Sequence, residues 1–478
     1  MTDLTARLRH AIELFNSGNL TAAQSECSGI LATAPDHPQA LNLMATIAGA
    51  ADDYESALKH LTHATAVAPE DIQMRFNLAC CYQRSGDRLN AKRTFYDVVA
   101  SAPEQLDSWI ALGRMHQEDD EPDGCIDAFG RVIDCLKQGT VPKDKAMQAM
   151  ANAYQGIALA EQKRNNLQDA LAAYDAMASL NPDDDRAHAG RGWVLRDMAQ
   201  YDDAIEAFLQ ASEIRPDRAP YLTNTAIIMM RLGDYQKARP LLERAMKLDP
   251  DNRQTLSALG VLLWETNEDD AYGDIFDYER YVHPLEDVPA PDGYQSQQAF
   301  HDALIAEIRN HPSLAGGRAT NTTRNGVQTT NIMTSPGPAV SALRDIFNQA
   351  VTDYIQHPDH QGGLPGTKWQ PHWRILGWGV VLSSQGHQAP HNHPTGMVSG
   401  VYYIRIPKEV DGSNEDGGFI EFGPPNEQYV TRREPPRHRV QPKEAKLCLF
   451  PSHYWHRTIP FESQTERICI AFDAIPAF

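Results

Sequence analysis

Pro35, Pro69 and Pro103 stand 34 residues apart, and Pro182, Pro216 and Pro250 repeat that spacing. A fixed period of this length constrains the fold more than composition does. Each unit is too small to bury its own apolar face and must stack on its neighbours. The gap from 103 to 182 is 79 residues, two periods plus 11, and LKQGTVPKDKA (136–146), with Gly139 and Pro142, reads as the polar insertion. A second marker keeps the same register: Ala23, Ala57 and Ala91, then Ala170, Ala204 and Ala238, with Cys125 in the intervening place. A third, looser marker is a turn, as in SGNL (17–20), DDYE (52–55), SGDR (85–88), AQYD (199–202) and LGDY (232–235).

Each unit reads as two amphipathic helices joined at that turn. The small residue allows close helix approach, and the Pro ends a helix it cannot continue. The period and markers resemble the tetratricopeptide repeat. They predict an all-α solenoid over 1–266, with about seven units from residue 2 to 250 and a capping helix, RQTLSALGVLLWET (253–266). Such arrays present a groove, so a protein or peptide partner is expected there.

Net charge bounds the partners. Lys and Arg number 43 against 63 Asp and Glu, a formal charge of −20, which argues against nucleic acid and anionic membranes. Seven scattered cysteines with no C-x-x-C pair read as reduced core thiols of a cytoplasmic protein. MTDLTARLRHAIELF has no signal-peptide apolar core, and no stretch approaches 18 apolar residues. The expectation is a cytoplasmic chain with no membrane span.

The repeat breaks at NEDDAYGDIFDYERYVHPLEDVPAPDGY (267–294), an acidic, Pro-rich stretch read as a linker. Helical periodicity returns over 295–312 and 335–358. Short β runs follow: WRILGWGVVLS, MVSGVYYIRIP, GFIEFG, KLCLFP and RICIAFDA. Their spacing suggests an α+β domain over 295–478 built on a jelly-roll core.

Two segments carry the candidate chemistry: HQAPHNHPTGMVSGVYYI (387–404) and LFPSHYWHRTIPFESQTERICIAF (449–472). His391 and His393 are two apart, so on extended backbone both imidazoles face one side. Ser399, Val401 and Tyr403 share one face of the next strand, and Arg467, Cys469 and Ala471 share one face of the last. An arginine on an inner strand face needs an anion, because a buried unpaired guanidinium is costly.

The H-x-H-P…SGVYY and FPS…H…PF…R segments resemble the 2-oxoglutarate/Fe(II)-dependent dioxygenases, and the likeness spans about 295–478. It implies a double-stranded β-helix fold, with Fe(II) as cofactor and 2-oxoglutarate as cosubstrate. It further implies His391 and His456 as metal ligands, Arg467 as partner of the far 2-oxoglutarate carboxylate, and Tyr403 as a further bond to it. Where the wider superfamily has Asp or Glu, this chain has His393; Glu421 in GFIEFG is the alternative third ligand. No catalytic side chain is expected beyond the metal site. The chain thus reads as a hydroxylase acting on a protein or peptide recruited by the array. The alternative is a non-catalytic repeat scaffold carrying a metal-binding or degenerate jelly roll.

Overall fold

A computed structural model describes residues 2–139, 142–316, 322–360, 363, 370–410, 412 and 416–477. It divides into two units, 1–200 and 201–478.

The first unit holds α1 (Thr2–Asn16), α2 (Leu20–Thr33), α3 (Pro38–Ala50), α4 (Tyr54–Val67), α5 (Ile72–Arg84), α6 (Arg88–Ser101), α7 (Leu106–Glu118), α8 (Pro122–Lys137), α9 (Lys143–Lys163), α10 (Leu167–Leu180) and α11 (Asp185–Asp197). The second continues the pattern with α12 (Tyr201–Ile214), α13 (Ala219–Arg231), α14 (Tyr235–Leu248), α15 (Arg253–Glu265) and α16 (Asp269–Ile275). The looser turn marker of the sequence is strict in the backbone. Gly18, Asp52, Gly86, Asp120, Asn165, Ala199, Gly233 and Asn267 all take φ between 57° and 84°. A left-handed residue reverses the chain in three residues and brings the two helices of a unit side by side.

The small residues at the second marker, Ala23, Ala57, Ala91, Cys125, Ala170, Ala204 and Ala238, are each at most 1% exposed. The insertion is absorbed mainly by helix growth: α9 runs 21 residues where α7 and α11 run 13. Residues 140 and 141 of it lie outside the described residues.

The expected boundary at 266 is not where the structure divides. α15 is not a final cap: the Asn267 turn pairs it with α16 as an eighth, shortened hairpin. The expected linker 267–294 is structured in its first part, with α16, α17 (Tyr278–Tyr281) and β1 (His283–Leu285), and β1 pairs antiparallel with a sheet strand. α13 and α15 are buried nearly all round, unlike a helix with one wet face. Their apolar residues, among them Met230, Leu262 and Leu263, join one core with Phe276, Phe422, Tyr454 and Trp455.

The remaining elements are α18 (Gln297–Arg309), β2 (Thr323–Gln328), α19 (Pro338–Gln356), β3 (Trp373–Gln388), β4 (Val398–Arg405), β5 (Ile420–Phe422), β6 (His438–Val440), β7 (Leu447–Pro451), β8 (His456–Thr458) and β9 (Arg467–Pro476). They form a six-stranded sheet, β1-β7-β4-β9-β3-β2, and a three-stranded sheet, β6-β5-β8, all pairs antiparallel. Two sheets of this kind are the jelly-roll architecture expected.

Strand alternation separates two cores. Tyr402, Ile404, Ile468, Ile470 and Phe472 pack outward on Phe300, Leu304, Leu343 and Phe347 of α18 and α19. Val380, Leu382, Val401, Tyr403, Phe450 and Cys469 point inward.

Candidate functional site

Backbone pairing brings the two histidine segments together. His391 N–H donates to His456 O at 3.0 Å, His456 N–H returns to His391 O at 2.9 Å, and His393 N–H donates to Ser452 O at 2.8 Å. The three imidazoles face one another with ring centroids 4.3–5.1 Å apart. One donor atom from each lies within 4.8 Å of the others.

Each Nδ1 is already committed. His391 Nδ1 donates to Ala389 O at 2.7 Å, His456 Nδ1 to Tyr454 O at 3.0 Å, and His393 Nδ1 to the Asp473 carboxylate at 3.0 Å. The Nε2 lone pair of each neutral ring is therefore left for something else. Burial holds His391 neutral, lowering its pKa to about 3, and the neighbouring His393 adds to this. Burial, then the charges of His391 and His393, depress His456 in the same direction.

The three histidines, Tyr403 and Arg467 line the same pocket. Arg467 is 2% exposed. Its Nε donates to Gly418 O at 3.1 Å, its Nη1 points at Cys469 Sγ at 3.5 Å, and its guanidinium lies 5.0 Å from the Tyr403 ring centre. Among the described residues no carboxylate pairs with it: Glu466 pairs with Arg309, and Glu462 accepts from Gln385. Among the described residues the buried Tyr403 hydroxyl makes no well-formed hydrogen bond; burial pushes its pKa well up, and the adjacent Arg467 opposes the shift.

This donor set fits the groups that the resemblance implies. Three imidazole nitrogens with fixed tautomers suit a first-row divalent ion. A buried guanidinium and an orphaned hydroxyl on the same cavity suit a carboxylate.

Glu421 does not reach this cavity. It sits on β5 between Ile420 and Phe422, whose side chains face inward, and so points to the other face. There it accepts from Arg437 at 3.1 Å, Arg439 at 2.7 Å and Arg457 at 2.7 Å. Burial would raise its pKa, but Arg439, Arg457 and Arg437 outweigh that and hold it ionised. A carboxylate shared by three guanidiniums is not available to a metal.

Two further features lay outside the sequence reading. Asp473 continues the inner face of β9 two residues past Ala471 and is 4% exposed, with Ser399 donating to its second oxygen at 2.6 Å. The same alternation that selected Arg467, Cys469 and Ala471 carried this signal one step further. The second feature is a strut from α15. Ser257 Oγ accepts from Asn392 Nδ2, between the two histidines, at 2.7 Å, and its one proton is shared between His453 O at 2.7 Å and Arg253 O at 2.8 Å. His453 is 1% exposed and packs on Phe276 with ring centroids 5.5 Å apart.

A family profile described as "Putative 2OG-Fe(II) oxygenase" matches residues 377–473, and tetratricopeptide repeat profiles match 156–219 and 219–252. One chain thus matches both tetratricopeptide repeat profiles and, over 377–473, the profile of a putative oxygenase. Among curated proteins it is 23% identical over 218 residues to protein O-mannosyl-transferase TMTC3 of Homo sapiens, covering 45% of this chain and 20% of that protein. It is 21% identical over 244 residues to the Hsp70-Hsp90 organizing protein of Triticum aestivum, covering 45% and 42%. The chain thus spans less than half the length of these relatives. Among solved structures, the C-terminal part of a repeat protein from Cytophaga hutchinsonii is 15% identical, with a TM-score of 0.43, covering 53% of this chain and 99% of its own. YrrB, described as a TPR protein with an unusual peptide-binding site, is 19% identical with a TM-score of 0.34, covering 41% and 96%.

Proposed function

We propose that this protein is an Fe(II)- and 2-oxoglutarate-dependent hydroxylase. The observation that carries the reading is a buried guanidinium without a carboxylate, Arg467, on the wall of the cavity that three converging imidazoles close. His391, His393 and His456 would hold the ion, and Arg467 with Tyr403 would hold the far carboxylate of 2-oxoglutarate. Bound there, the pair would supply the O2-dependent oxidative decarboxylation of 2-oxoglutarate to succinate and CO2, one oxygen atom entering succinate and the other hydroxylating a substrate C–H bond.

The residues of this chain orient and shield. The Nδ1 bonds to Ala389 O, Tyr454 O and Asp473 fix each ring so that its Nε2 faces the ion. Arg467 would hold the far carboxylate of the cosubstrate by its charge and fork geometry. Val401, Phe450 and Ile420 line the cavity and would keep water from the reacting centre.

The substrate we propose is a protein or peptide side chain presented by the repeats, because tetratricopeptide repeats bind protein segments. Seven unpaired cysteines support a reducing compartment, which we take to be the cytoplasm. No helix among the described residues is long and apolar enough to cross a membrane. The test is turnover: protein loaded with Fe(II) should convert 2-oxoglutarate to succinate in air, even without its substrate, at a slow uncoupled rate. No succinate above a metal-free control would overturn the assignment.

A further inference from the structure

We propose that Asp473 is a positioning residue that supplies, through His393, the negative charge a carboxylate ligand would otherwise bring to the metal. The proposal rests on the reading of His391, His393 and His456 as ligands. His393 occupies the place where the wider superfamily has Asp or Glu, so among the described residues the three-histidine cluster would offer the ion no carboxylate. The three histidines are not equivalent behind the ring. His391 and His456 donate to backbone carbonyls, whereas His393 donates to a buried carboxylate at 3.0 Å.

The carboxylate is held for that task. Asp473 Oδ2 faces His393, and Oδ1 accepts from Ser399 Oγ at 2.6 Å. Ser399 is its cross-strand neighbour on β4, and Ser399 Oγ in turn bonds Ser452 Oγ at 2.9 Å. Gly396 closes over the group: a Cβ there would stand 2.6 Å from Ser452 Oγ and 3.3 Å from Asp473 Cβ. No Lys or Arg forms a salt bridge with Asp473 among the described residues, so its charge is left to His393. An anion on Nδ1–H makes the imidazole a stronger electron donor at Nε2. The charge of a 2-His-1-carboxylate site is thereby kept, one ring further from the ion.

The inference makes a non-additive prediction. Asp473→Asn keeps the shape and a hydrogen-bond acceptor for Nδ1–H but removes the charge. In the metal-free full-length chain it should weaken Co(II) binding about 10- to 100-fold, and the Co(II) visible bands should shift. His393→Asp alone sets two carboxylates against each other in a buried site, so it should also bind Co(II) weakly. In His393→Asp/Asp473→Asn the only remaining carboxylate faces the ion, and the affinity of the double variant should exceed that of either single variant.

Co(II) titrations of the four proteins, with melting temperatures of their metal-free forms, decide the matter. Asp473→Asn binding Co(II) as the parent does, or losses that simply multiply in the double variant, would overturn the proposal. Failure of the ligand assignment looks different: His391→Ala would then bind Co(II) as well as the parent. Should Asp473→Asn not fold, Ser399→Ala frees one carboxylate oxygen while keeping the charge. It should weaken Co(II) several-fold, and an unchanged affinity would equally overturn the proposal.

Discussion

Arg467 is the residue whose removal separates function from stability most cleanly. It is 2% exposed, and its guanidinium has one carbonyl and one thiol as hydrogen-bond partners among the described residues. Such a group is a cost to the fold, because a buried charge is stabilising only when paired. Arg467→Met should therefore leave the melting temperature of the metal-free protein unchanged or raise it. Cosubstrate binding should move the other way. Losing one partner of a buried charge pair costs on the order of 2–5 kcal/mol. At about 1.4 kcal/mol per decade, that weakens 2-oxoglutarate by roughly 30- to 4,000-fold. Arg467→Lys should recover only part, since a point charge replaces a fork. Tyr403→Phe removes one hydrogen bond to a charged group, worth about 1.5–3 kcal/mol, and should cost roughly 10- to 150-fold. Anaerobic titration of 2-oxoglutarate into the Fe(II)-loaded variants measures these affinities, and thermal melts of the same preparations measure stability. An unchanged 2-oxoglutarate affinity in Arg467→Met would refute the reasoning. So would a large fall in stability with affinity intact.

Four further outcomes are expected. His391→Ala and His456→Ala should each abolish Fe(II) retention through gel filtration, while circular dichroism stays that of the parent. Ser257→Val cuts the strut from α15 to Asn392 and His453 O. Leaving those buried groups unsatisfied costs about 1–3 kcal/mol, and Fe(II) affinity should fall although no ligand is touched; unchanged affinity and stability would sink the strut. Residues 201–478 should fold and bind metal alone, whereas 295–478 should be insoluble, because α13–α16 share a core with the sheets; a soluble, cooperatively melting 295–478 would contradict this. Burial lowers the His453 pKa from 6.5 to about 3, with its bond to Ile275 O opposing and Arg253 adding. The folded state then binds fewer protons than the unfolded one, so stability is full above about pH 6.5 and is lost as pH falls toward 3. His453→Gln should flatten that acid slope of the metal-free protein, and an equally steep slope would show His453 is not its source.

The sequence carried the repeat because stacking imposes one geometry on every unit. Pro35 to Pro250 and the buried alanines are direct readouts of it. The inner and outer faces of β4 and β9 were equally legible, since strand alternation leaves no freedom once one face is assigned. Other features were harder to see. An amphipathic α15 reads the same whether it caps a solenoid or packs against the sheets that hold the histidines. The available clue was that α13 and α15 lack a polar face, as a helix buried on all sides does. Glu421 remained a candidate ligand because its competitors Arg437, Arg439 and Arg457 lie 16 to 36 residues away and meet it only across the three-stranded sheet. Asp473 was visible in the alternation of RICIAFDA, yet its meaning depends on His393, which is 80 residues earlier.

The central claim is that one cavity binds Fe(II) and 2-oxoglutarate together. Anaerobic addition of Fe(II) and then 2-oxoglutarate to the metal-free full-length protein tests it directly. A weak visible charge-transfer band should appear only when both are present, be lost in His391→Ala, and require far more 2-oxoglutarate in Arg467→Met. No band in the parent protein, with zinc held firmly in its place, would contradict the account.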